Sequence, residues 1–161
     1  MRILITGTPG AGKTRLAHRL GEDLGIPVFS VLEEAKRRER IASYEGDTAI
    51  ISEDTVEQIA SALDIEHDTF ILEGHMSHYA RGDLVICVVC EIGELTRRLR
   101  MRGYTEEKVR ENVDAEIFRV CQVEAAEQGH EPIIVDSTRD DTRAYTRLVE
   151  RLRQEGLGHD R

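Results

Sequence analysis

Residues 7–14, GTPGAGKT, carry the spacing G-x-x-x-x-G-K-S/T. Glycines at these positions let the backbone turn so that successive N–H groups converge on phosphate oxygens, and the N-terminus of the following helix also favours negative charge. Lys13 is placed to reach β- and γ-phosphates, and the Thr14 hydroxyl to ligate Mg²⁺. The pattern implies that a nucleoside triphosphate is bound. Phosphoryl transfer leaves little covalent work to the protein, so the chain must also supply a metal-side carboxylate, cations and a second-substrate site.

Glu73-Gly74-His75 closes the apolar stretch Phe70-Ile71-Leu72. Glu73 falls where a phosphate-loop enzyme places its metal-side acid; direct ligation, contact through a metal-bound water and orientation of an attacking water are all open to it. The competing reading is a charge capping an exposed strand end. His75 can serve the phosphate edge as a proton relay or orienting donor, whereas His78 reads as a surface or packing residue. Arg98 and Arg102 share a helix face at i, i+4, and arginine forks suit phosphates and bases. After Gly103, Lys108, Asn112 and Glu116 recur at i, i+4, i+8 as a polar stripe. Motion about Gly103 would make this segment a lid that excludes water during transfer.

The elements that must position these groups follow from hydrophobic period. Ile3-Leu4-Ile5 reads as a buried strand feeding the glycine loop. Leu16, Leu20 and Leu24 form a helical stripe that closes at Gly25 before Pro27. A short strand at Val28–Val31 precedes a charged helix over 32–41, where Lys36, Arg37, Arg38 and Arg40 cluster. A turn at Tyr44-Glu45-Gly46-Asp47 leads to a helix with Asp54 as its N-cap and Glu57 three residues on. Leu84–Cys90 is a continuous apolar strand of the kind covered on both faces. A helix bearing Leu95 and Leu99 follows, then one long helix from about Thr105 to Gln128. Ile133-Ile134-Val135 is the last strand, the loop DSTRDD follows it, and a terminal helix precedes a frayed tail, GLGHDR. Strands alternating with helices give an α/β domain with a mainly parallel sheet over 1–161, with ligands at the carboxyl ends of the strands.

Composition narrows the partners. A formal net charge of −9 argues against strong, sequence-blind nucleic-acid binding. The longest apolar run is too short to cross a bilayer, and a strand at residues 1–6 leaves no room for a signal peptide. Cys87, Cys90 and Cys121 suit reduced thiols in a cytoplasm. The C-x-x-C formed by the first two lies within a strand and reads as core rather than redox chemistry. Nothing demands more than a monomer. With Asn112 the only asparagine, no N-K-x-D guanine-reading segment exists.

GTPGAGKT, the E-G-H segment and above all RGYTEEKVRENVDAEIF, followed by the Glu124-Ala125 pair, resemble the adenylate kinase isoenzyme 6 family from residue 1 to about 137. The resemblance implies a three-layer P-loop fold of the nucleoside monophosphate kinase type, with a five-stranded parallel sheet of order 2-3-1-4-5. It implies ATP:AMP phosphotransfer of broad nucleotide tolerance, with Mg²⁺, and ATP hydrolysis. By position, Gly10, Gly12, Lys13 and Thr14 bind ATP, with Arg15 beside them and Arg102 contacting ATP from a lid at about 102–112. An excursion at about 30–53 takes the monophosphate, with Lys36 and Arg37 toward its phosphate. His75 matches the histidine of a D-x-H-type motif. A small-subunit ribosomal protein of the S-eleven type is the implied partner, and small-subunit maturation the implied role. Glu73 departs from a frequent Asp, and Ser52 stands where an acid is common. Two other readings compete: a small-metabolite kinase on the same scaffold, and an ATP-gated assembly factor with little kinase turnover.

Overall fold

The apolar runs become the strands of one parallel sheet. A computed structural model describes residues 1–45 and 48–156. The sheet contains β1 (Arg2–Thr6), β2 (Val28–Ser30), β5 (Phe70–Glu73), β6 (Leu84–Val89) and β7 (Ile133–Asp136), in the order β2-β5-β1-β6-β7. Counted among themselves along the chain, these strands run 2-3-1-4-5, the expected order. The whole-chain numbering differs because an antiparallel hairpin, β3 (Ser43–Glu45) and β4 (Thr48–Ile50), intervenes after β2. Its centre, Gly46-Asp47 of the expected turn, lies outside the described residues.

Alternating side chains of the sheet enter two separate cores. Ile3, Ile5, Ile71, Ile86 and Val88 pack on one face against α1 (Lys13–Leu24), α4 (Ile92–Met101), α5 (Glu106–Ile117) and α7 (Thr142–Gln154). Leu4, Phe70, Leu72 and Val85 pack on the other against α2 (Val31–Arg37) and α3 (Glu53–Glu66). The result is a three-layer α/β fold with β1 at its centre. The expected stop of α1 is present: Gly25 adopts φ 68° and its N–H bonds to Gly21 O.

Three expectations are corrected. The cap of α3 is Ser52, not Asp54: the Ser52 hydroxyl accepts from Thr55 N at 3.3 Å, and Asp54 falls inside the first turn. The single helix expected over 105–128 is two, α5 and α6 (Val120–Glu127), separated by Arg119 at φ 53°. No glycine or proline marks that break, so periodicity ran through it. Third, the charged helix ends at Arg37 rather than residue 41. The tail beyond Gly156 lies outside the described residues. Among the described residues, no helix is long and apolar enough to cross a membrane.

If Ser52 holds the end of α3, Ser52→Ala should lower unfolding free energy by about 1 kcal/mol, while Asp54→Ala should cost under about 0.5 kcal/mol, as read by urea denaturation.

Candidate phosphate-binding site

The glycine loop lies between the carboxyl end of β1 and the start of α1. Its first residue must be glycine: Gly7 has φ 143°, and a Cβ there would sit 2.3 Å from Val88 O. Gly12, at φ 101°, lies against Ser137 Oγ, which a Cβ would meet at 3.2 Å. Lys13 is only 8% exposed, and its Nζ donates to Thr8 O at 3.0 Å. Burial pushes its ammonium below the ordinary lysine range, against an opposing pull from Glu73.

Glu73 ends β5 in register with Ile5 of β1, and it is buried. The Thr14 hydroxyl donates to Glu73 Oε2 at 3.3 Å. The two groups expected to hold a metal are therefore adjacent, one step from Lys13. Among the described residues, no cluster of three His, Cys, Asp or Glu could hold an ion by protein ligands alone. A hydroxyl and a carboxylate suit Mg²⁺ that takes its remaining ligands from phosphates and water. The loop, the ammonium and this pair thus fit a Mg²⁺–nucleotide.

His75 follows Glu73 by two residues and is open to solvent on one side. Although the residue is exposed at its outer edge, desolvation of its ring by the surrounding protein, followed by the charges of Lys13 and His78, pushes its pKa down to about 4, so the ring is neutral near pH 7. His78 is no surface residue. It is fully buried, with Nδ1 2.7 Å from Thr6 Oγ1 and Nε2 3.1 Å from Glu124 Oε2 on α6. Burial, with the charge of His130, pushes it down to about 4. A neutral ring satisfies both neighbours, with Nε2–H donating to Glu124 and Nδ1 accepting from the Thr6 hydroxyl.

The loop after β7 meets the glycine loop as expected. Ser137 Oγ donates to Ala11 O, and Arg98 of α4 donates to Ser137 O at 2.7 Å and Ser137 Oγ at 3.1 Å. Arg15 and Arg19 both reach Asp140, at 3.1 Å each. Between these groups lies a pocket of ≈360 Å³ lined by Gly10, Gly12, Arg15, Arg98, Arg102 and Tyr145, among others. Arg97 and Arg100 instead pair with Glu94 and Glu106 at the surface.

Lys36 and Arg37 are not brought to this pocket. Each pairs with an acid three residues back on α2: Lys36 with Glu33 at 3.0 Å, Arg37 with Glu34 at 2.7 Å. Two contacts were illegible in the sequence. Glu116 of α5 accepts from the Thr8 hydroxyl at 2.5 Å and from Cys90 N at 2.9 Å, so the polar stripe after Gly103 touches the glycine loop. Glu124 reaches His78 only because α6 turns away at Arg119. Cys90 lies just past β6, and burial raises the Cys87 thiol to about 12, far from a redox-active thiolate.

Residues 3–119 match the AAA domain family. The chain is 36% identical over 143 residues to the "Putative adenylate kinase" of Methanocaldococcus jannaschii, covering 88% of this chain and 79% of that protein. It is 37% identical over 152 residues to the protein of the same name from Archaeoglobus fulgidus, covering 94% and 82%. Among solved structures, shikimate kinase from Bacteroides thetaiotaomicron superposes with a TM-score of 0.56 at 20% identity over 96% of this chain and 97% of that one. TT1252 from Thermus thermophilus superposes at 0.61 with 17% identity, covering 98% of each chain. These two likenesses show the fold.

The depressed His78 pKa has a sign. The unfolded chain takes up a proton near pH 6.5 that the folded ring refuses until about pH 4, so its contribution is complete above 6.5 and lost as pH falls toward 4. Chemical denaturation at pH 7 and pH 4.5 should show wild type losing about 2–3 kcal/mol more than His78→Gln across that interval. Equal losses would mean that His78 is free to protonate in the folded state.

Proposed function

The chain belongs to the archaeal adenylate kinase family of these relatives, and on that premise we propose that it transfers the γ-phosphoryl group of ATP to a nucleoside monophosphate, AMP foremost. The observation that carries the reading is the convergence of Lys13, Thr14 and Glu73 at the glycine loop, beside an arginine-lined pocket of ≈360 Å³. In the transfer, an oxygen of the acceptor phosphate forms a bond to Pγ. The bond from Pγ to the β,γ-bridging oxygen breaks, and ADP leaves with that oxygen.

Each residue has a part in that exchange. Glycine-loop N–H groups and Lys13 hold the β- and γ-phosphates, and Lys13 must leave Thr8 O to do so. Bringing a desolvated ammonium to developing negative charge stabilises the transfer more than a solvated cation would. Arg15, Arg98 and Arg102 surround the nucleotide from the pocket side, and Arg102, at the end of α4 next to Gly103, stands where the lid begins. Thr14 and Glu73 are the residues that would hold Mg²⁺, which when bound neutralises phosphate charge. The neutral His75 orients the reacting groups as a donor or relays a proton at the phosphate edge.

The monophosphate site is the excursion at about 30–53, with Lys36 and Arg37 as its cations. Their present pairs do not oppose this: Lys36–Glu33 is exposed, of the kind that contributes about 0–1 kcal/mol, and the buried Glu34 keeps Arg38 as a partner when Arg37 turns to a phosphate. The family resemblance extends the reading to broad monophosphate tolerance, ATP hydrolysis and an S-eleven-type ribosomal protein partner in small-subunit maturation, and the unpaired cysteines to a cytoplasmic setting. A fold shared with shikimate kinase keeps a small alcohol in view as the competing acceptor.

Turnover of ATP and Mg²⁺ against a panel of nucleoside monophosphates and small alcohols separates these acceptors; no turnover of any monophosphate would sink the kinase reading proposed here. Lys13→Ala should reduce transfer by at least about 10²-fold. Lys36→Ala should raise the Michaelis constant for AMP by about tenfold while leaving that for ATP unchanged. The reverse pattern would place Lys36 on the ATP side.

A further inference from the structure

Helix α5 touches both nucleotide regions through one stripe of side chains. At its first turn Lys108 Nζ donates to Thr48 Oγ1 on β4 at 2.8 Å. Two turns later, about 12 Å along the axis, the Glu116 carboxylate holds the Thr8 hydroxyl and Cys90 N. Asn112, between them, bonds back to Lys108 O at 2.7 Å and stays within the helix. The β3–β4 hairpin belongs to the monophosphate excursion and Thr8 to the ATP loop, so a single helix spans from one to the other.

The two ends are held in different ways. Glu116 grips Cys90 N as well as Thr8, and Cys90 is buried beside β6. At the other end Val109, next to Lys108, packs into the core, which keeps the helix seated as one body. Lys108 and Thr48 are joined by one hydrogen bond at the surface, and α5 starts just beyond Gly103, which sits at φ 77° with open space around it. The Thr105 hydroxyl, accepting from Lys108 N at 3.2 Å, caps the helix and keeps that end rigid.

We propose that α5 is a coupling strut, in which Glu116 and Lys108 act as positioning residues that make ATP-loop and monophosphate-excursion occupancy depend on each other. The proposal rests on the kinase reading above. ATP draws Lys13 from Thr8 O and Arg102 toward its phosphates, leaving Thr8 gripped by Glu116 and moving the hinge at Gly103. The helix transmits that displacement as a rigid body to Thr48 through Lys108. A monophosphate bound at the excursion acts back along the same path, as linkage requires.

Affinity of a non-hydrolysable ATP analogue with Mg²⁺, measured by calorimetry with and without saturating AMP, tests this. Wild type should bind the analogue at least about fivefold more tightly with AMP present, the lower end of measured couplings. Thr8→Val, Glu116→Gln and Lys108→Met should each bring that ratio close to one, while Thr8→Ser, which keeps the hydroxyl, should preserve it. A merely structural role would lower melting temperatures and leave the ratio intact, which overturns the strut, as does a ratio of one in wild type. If wild type binds the analogue but no monophosphate, the kinase reading itself fails and the strut with it.

Discussion

Placing a lysine ammonium where water hardly reaches is the constraint from which the rest of the site follows. Lys13 is desolvated, which disfavours its charge, and it is tolerated because Thr8 O accepts from it and Glu73 lies close by. Both compensations depend on distant parts of the chain. Glu73 is brought by pairing of β5 with β1, and Thr8 is held by Glu116 from α5. A cation poised in this way interacts strongly with phosphate, because little solvent has to be displaced when the anion arrives.

The sheet order makes that convergence possible. With β1 at the centre, β5 on one side and β6 on the other, the loops after all three strands open at the same edge. The loop after β7, further out, is drawn back by Arg98, which joins α4 to Ser137 beside the glycine loop. The excursions at 30–53 and 102–112 rise from that edge and are each tied to a core, the first through Val31, Ala35 and Ile51 and the second through Val109.

Much of this was legible in the sequence, for physical reasons. The glycine loop is read by spacing because only glycine fits where Gly7 approaches Val88 O. Strand order follows from a resemblance anchored on that loop and on the segment after Arg102. Adjacency of Thr14 and Glu73 was expected from the carboxyl-end rule. Less was legible where a side chain crosses between elements. Glu116 and Glu124 looked like polar positions on one long helix, and only the left-handed Arg119 sends one to Thr8 and the other to His78. His78 read as a surface or packing residue because a single histidine in the short segment between Gly74 and Ala80 carries no periodic signal, and only the packing alternative holds. Ser52 is hidden in the sequence because Asp54, with Glu57 three residues on, matches the cap pattern as well as Ser52 does. Lys36 and Arg37 are legible only by position, and they sit paired with neighbouring acids, away from the pocket beside the glycine loop.

The account stands on phosphoryl transfer between nucleotides rather than on hydrolysis alone. ATP labelled in its γ-phosphate, incubated with the protein, Mg²⁺ and AMP, reports this directly. The account predicts that most of the label consumed appears in the β-position of ADP, with two ADP formed for each ATP used and little label in inorganic phosphate. Label released as inorganic phosphate at a rate indifferent to AMP, with one ADP per ATP, would contradict it.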